Sequence, residues 1–189
     1  MQWDRSNVIG LAKVSCTLCH GYGLRLVKQG REVPCHCVFR AIFRACYNRF
    51  RECAALAEHA GIVTAEPCHG KEGKRMFSRK REEYIADFCL VSRRMLDEHD
   101  HRIFRYHFLL GADWKLCSRQ LGIDRGLFFH AVYRIEEILG RTFAELEPFP
   151  LFPLDEYFSG FSKEVSPTNP LRRARRRPLV PILRLPLTA

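Results

Sequence analysis

Four cysteines near the N-terminus constrain this chain more than any other feature. Cys16 and Cys19 form a C-x2-C knuckle, and Cys35 and Cys37 form a C-x-C knuckle after a gap of fifteen residues. Gly21 and Gly23 let the backbone fold back after the first pair. Residues 24–27 (Leu-Arg-Leu-Val) alternate like a strand, Gln29-Gly30 marks a turn, and Glu32-Val33 returns. A hairpin of this kind brings two knuckles together, and four soft donors meeting at about 2.3 Å are what a tetrahedral Zn²⁺ requires. So small a segment has little core of its own and depends on the metal to fold. His20 and His36 are alternative ligands, and either can replace one thiolate. The competing reading is a set of free or redox-reactive thiols.

The chain holds nine cysteines in 189 residues. Its first ten residues contain no basic segment leading into an apolar stretch, so the cysteines read as thiols or metal ligands rather than a disulfide framework, and a cytoplasmic location is expected. No apolar run approaches the ~20 residues that span a bilayer, so a membrane is not an expected partner. Net charge is +10 with a pI near 9.4, which favours a polyanion, most simply nucleic acid. The excess is uneven. Arg172, Arg173, Arg175, Arg176, Arg177 and Arg184 follow the last acid, Glu164.

Residues 1–37 are therefore expected to form the knuckle and 38–60 a long helix, in which Ile42, Cys46, Arg49 or Phe50, Cys53 and Ala57 follow helical spacing. Arg40, Arg44, Arg49 and Arg51 give that helix a basic side, read as a solvated face or as phosphate contacts. Residues 61–77, with Gly61, Pro67, Gly70 and Gly73, read as a linker that carries an isolated Cys68-His69 pair. Residues 78–146 read as a helical domain. Residues 147–161 hold three prolines among aromatics and suggest an extended segment. Residues 162–189 read as a disordered basic tail.

Within the helical domain, residues 113–139 have a distinctive layout. Asp113 can cap a short helix in which Trp114, Cys117 and Leu121 share one face. Gly122 supplies the positive φ of a sharp turn, Ile123 fills the corner, and Asp124 can cap a longer helix. Phe128, Val132, Ile135 and Leu139 form the apolar stripe of that helix, while Phe129, His130 and Tyr133 fall away from it. The layout is that of a helix-turn-helix, whose second helix lies in the DNA major groove. The plain alternative is a helical hairpin with a short turn.

Residues 100–146 resemble the last DNA-binding region of bacterial sigma factors, which reads the −35 promoter element. The extracytoplasmic-function group has a recognition helix of the form V-G-T-V-x-x-x-L-x-R, and Gly126, Phe128, Val132 and Arg134 match it in register. The resemblance implies Arg125, Leu127, Phe129, His130, Tyr133 and Arg134 as DNA contacts. No segment matches the sigma region that binds the −10 element. The run Cys16-Thr-Leu-Cys19-His-Gly-Tyr-Gly resembles one C-x-x-C-x-G-x-G repeat of the DnaJ-type cysteine-rich domain. It carries over a metal knuckle but no chaperone activity. A zinc knuckle beside a sigma-like helix-turn-helix is also similar in architecture to small bacterial or phage regulators, including late antitermination proteins.

The expected protein is thus mainly α: a small N-terminal zinc-bound β-hairpin knuckle, then helices and a sigma-like helix-turn-helix domain. The expected function is a sequence-specific transcription regulator that binds double-stranded DNA, with Zn²⁺ as a structural cofactor and RNA polymerase as a further candidate partner. The rival is a protein-interaction adaptor, of polymerase-binding or antitermination type, in which the helical turn is scaffold. No nucleophile or proton-transfer constellation suggests an enzyme.

Overall fold

The computed structural model describes residues 3–27, 30–63 and 72–159. It is mainly helical, with a small two-stranded hairpin beside the four cysteines. A short helix α1 (Arg5–Val8) is capped by Asp4, whose carboxylate accepts from the backbone N–H groups of Ser6 and Asn7. Strands β1 (Leu24–Leu26) and β2 (Glu32–Pro34) pair antiparallel, with Arg25 opposite Val33. The long helices α2 (His36–Val63) and α3 (Glu72–Met95) follow. Then come α4 (Glu98–Phe104), a π-helical turn (Arg105–Leu109), α5 (Trp114–Leu121), α6 (Arg125–Glu145) and α7 (Leu154–Ser159).

Both long helices reach into the expected linker: α2 runs through Gly61 to Val63, and α3 begins at Glu72 rather than near Ser78. A glycine in a helix interior costs only about 1 kcal/mol relative to alanine, so Gly61 does not by itself end α2. The Cys68-His69 pair and the tail at 162–189 lie outside the described residues. The proline-aromatic segment is not extended throughout. It closes on α7, where Tyr157 and Phe158 pack on Tyr84 with ring centroids 4.9 and 5.1 Å away.

The core is a single aromatic-rich cluster shared by the N-terminal unit, α2 and the later helices. Phe43 of α2 meets Phe108 edge-on at 5.0 Å, and Phe50 stacks on Phe88 of α3 at 4.5 Å. The Tyr47 hydroxyl donates to the Phe108 carbonyl at 2.8 Å, which ties the π turn to α2. Cys46 and Cys53 are buried, as their heptad spacing suggests. Helices α2 and α6 approach closely at Gly140, where a Cβ would sit 1.9 Å from the Phe39 carbonyl oxygen. Only glycine fits there. Among the described residues no helix is long and apolar enough to cross a membrane.

Candidate metal centre and nucleic-acid interface

The hairpin performs the convergence that the cysteine spacing asks for. The Cys35 N–H donates to the Gly23 carbonyl at 2.9 Å, so the second knuckle is laid directly against the first. Gly23 has φ +85°, and an added Cβ would meet Val8 Cγ2 at 2.7 Å, so both its conformation and its packing exclude a side chain. Sγ of Cys16 lies 3.7 Å from Sγ of Cys35, and Sγ of Cys19 lies 3.6 Å from Sγ of Cys37. All four sulfurs fall within 4.8 Å of one another. Four thiolates at about 2.3 Å around a tetrahedral ion would stand about 3.8 Å apart, so the donor set and its spacing fit one metal ion. His20 and His36 stand outside the cluster: His20 is exposed, and His36 Nδ1 is paired with Glu137.

The thiols differ in acidity. Partial burial opposes ionisation of Cys16, but the backbone N–H groups of Cys19 and Leu18, together with the Cys35 and Cys19 thiols, outweigh it and bring the thiol down to about 7. Burial pushes Cys35 up, against a backbone N–H of Cys37. Burial also raises Cys37 to about 12, although the Lys13 N–H favours its thiolate. Three of the four sulfurs therefore carry a backbone donor aimed at the charged form.

The second candidate region, α5–turn–α6, is built as its spacing suggests. Asp113 accepts from the Leu116 N–H at 2.8 Å and Asp124 from the Leu127 N–H at 2.9 Å. Gly122 closes α5 at φ +67°. Phe128, Ala131, Val132, Ile135 and Leu139 are buried, and α6 packs against α2, α4 and α5. No family model, curated protein or solved structure matches this chain. The arrangement of its own side chains carries the functional argument.

The six expected contact residues do not share one environment. Arg125, Leu127 and His130 are exposed near the start of α6. Arg125 also lies over the rings of Trp114 and Phe129, at 5.2 and 5.8 Å. Phe129 is half-buried and packs edge-on against Phe128. Tyr133 sits beneath the Arg40 guanidinium at 4.1 Å. Arg134 clamps buried Asp100 with two hydrogen bonds, Nε to Oδ2 at 2.8 Å and Nη2 to Oδ1. It joins α6 to α4.

Neither reading of the α2 arginines describes all of them. Arg40 Nε donates to Glu136 Oε2 at 2.9 Å, and Arg44 donates through Nε and Nη2 to both oxygens, at 3.0 and 3.1 Å. Glu136 is 5% exposed, a buried carboxylate that two guanidiniums neutralise. Arg49 pairs with Glu52 and lies over Phe158. A basic stripe read along one helix cannot reveal an acid ninety residues later. The one sequence signal was Glu136 falling beside the apolar stripe of α6.

Proposed function

We propose that the protein is a duplex-DNA-binding transcription regulator, with α6 as its reading helix and the four cysteines holding a structural Zn²⁺. The observation that carries this reading is the charge pattern of the capped two-helix unit. Outside the two capping aspartates, neither α5 nor α6 before Glu136 contains an acid, while Lys115, Arg119, Arg125 and His130 are exposed on it. Basic side chains there can fix the helix on phosphates, and the exposed Leu127 and His130 can meet a thymine methyl or a base edge. Arg134 and Tyr133 hold the helix in place through Asp100 and Arg40. The likeness of residues 100–146 to the −35-reading region of sigma factors agrees with this use.

Zinc is the ion favoured by four thiolates in a tetrahedral set, and four protein ligands leave no open position for chemistry. Its role is to hold the hairpin against the start of α2. A polymerase-binding adaptor is the second reading, favoured by the exposed apolar side chains Val14, Leu18 and Leu26 around the knuckle.

Selection of bound duplexes from a random pool tests the proposal. It expects a recurrent sequence motif, binding that weakens steeply with salt, and roughly tenfold weaker binding to the selected duplex in Arg125→Ala or His130→Ala. A pool that yields no motif would leave α6 as scaffold.

A further inference from the structure

One face of the hairpin, beside the C-terminal end of α6, carries a second concentration of cations. Antiparallel pairing puts Arg25 opposite Val33, and the Val27 N–H donates to the Arg31 carbonyl at 2.9 Å. Side chains alternate along a strand, so Arg25, Val27, Arg31 and Val33 share one face. Those four residues line an open cleft of about 1010 Å³, together with Trp3, Phe39 and Arg141. Glu32 and Glu145 are the acids along it, but strand alternation turns Glu32 to the opposite face with Leu26, so three guanidiniums meet the one carboxylate of Glu145.

Much of this charge is not used up internally. Glu145 Oε1 accepts from the Trp3 indole N–H at 3.0 Å. Arg141 lies over the Phe39 ring at 4.7 Å and reaches Glu137 only at 3.9 Å. Nε of Arg25 is buried and finds no acceptor among the described residues. A buried guanidinium N–H without an acceptor costs free energy that a bound anion would recover. Trp3 is half-buried and meets Phe39 edge-on at 5.8 Å, so an aromatic wall stands beside the cations.

We propose that this cleft binds a nucleotide phosphate, with Arg25, Arg31 and Arg141 engaging the phosphate oxygens and Trp3 offering its ring to the base. Guanidinium forks match phosphate oxygens, and indole faces stack on any base without regard to sequence. The phosphate can belong to a free nucleotide or to a single strand. The site takes Arg141 and Glu145 from the C-terminal end of α6, far along the helix from the exposed Arg125, Leu127 and His130, and does not depend on that reading.

The test uses full-length Trp114→Phe protein, so that fluorescence reports on Trp3. ATP and a short oligothymidylate serve as separate probes. At least one is expected to quench Trp3 saturably; ATP alone assigns the site to free nucleotide, and the oligonucleotide to a single strand. Arg25→Ala and Arg31→Ala are each expected to weaken that binding roughly tenfold. Glu145→Gln, which removes the carboxylate on the cleft wall and keeps an acceptor for the Trp3 N–H, is expected to tighten it a few-fold, an outcome that misfolding cannot mimic. Absence of quenching by both probes overturns the proposal. So does binding unchanged in both arginine variants, or quenching by polyglutamate and by neither nucleotide probe, which would mark an acidic protein partner. Neither probe is duplex DNA, so failure here and failure of α6 as a reading helix are separately visible.

Discussion

The cysteine hairpin and the α5–α6 unit are similar in size and opposite in how they are held. Around the knuckle Ile9, Val14, Leu18 and Leu26 are exposed, and the two strands have three residues each. In α6, Phe128, Ile135, Leu139 and Phe143 are fully buried against other helices, and both α5 and α6 begin at a capping aspartate. The first region needs its four sulfurs to converge on something. The second is stabilised by apolar burial and backbone capping, whatever occupies the cysteines. A shared aromatic core joins them, but the free energy that orders each has a different source.

The largest expected effect breaks the N-terminal side alone. Cys16→Ser or a strong chelator is expected to remove the zinc proposed for the four cysteines, a metal worth on the order of 10 kcal/mol in small zinc units. Hydrogen exchange should then show the hairpin amides opening while the centre of α6 stays protected. Metal analysis by mass spectrometry checks the loss, and equal zinc in wild type and variant would contradict the four-cysteine site. The same site predicts a pH dependence. The metal must displace protons from Cys35 and Cys37, whose thiols burial pushes up, so affinity falls as pH falls. Below about pH 7 Cys16 adds its own proton, and the loss should steepen.

Two further substitutions strike the helical side. Gly140→Ala drives a methyl group into the Phe39 carbonyl, where backbone rather than a flexible side chain must yield. We expect about 3 kcal/mol or more of destabilisation, measured by denaturant unfolding. Arg134→Ala leaves the Asp100 carboxylate buried without its clamp. Because Arg134 is about half exposed, screening by solvent reduces the full buried-pair effect to about 1–2 kcal/mol. Asp100→Asn should cost less, since it removes the buried charge and leaves the half-exposed Arg134 to be solvated by water.

The smallest effect sharpens the capping argument. Asp124→Ala removes the acceptor for the Leu127 N–H and should cost about 1 kcal/mol, with fraying confined to the first turn of α6. NMR of the backbone amides would show this. Equal loss of protection along the whole helix would mean that α6 is less firmly packed than the buried stripe implies.

What was legible in the sequence follows from the range of the interactions. The C-x2-C and C-x-C knuckles, the hairpin between them, the two capping aspartates and the left-handed Gly122 are local signals, set by residues within a few positions. So was the apolar stripe of α6. The pairing of Glu136 with Arg40 and Arg44 was not legible, because the partners are more than ninety residues apart and charge along one helix reads as a solvated face. Arg134 matched a family pattern in register, yet its environment is decided by Asp100 on α4. The hairpin face with Arg25 and Arg31 was hidden for the same reason. Strand alternation puts the two on one side, but only the fold sets Trp3, Phe39 and Arg141 opposite them.

In the proposed function the exposed start of α6 reads duplex DNA. The most direct measurement is the affinity of wild type, Arg125→Ala and His130→Ala for a selected duplex and a scrambled one, across a salt series. A reading role for α6 predicts a wild-type preference for the selected duplex, a steep salt dependence for both, and a reduced preference in His130→Ala at nearly unchanged scrambled-duplex affinity. Equal affinity of wild type for the two duplexes, or a preference untouched by both substitutions, would contradict it.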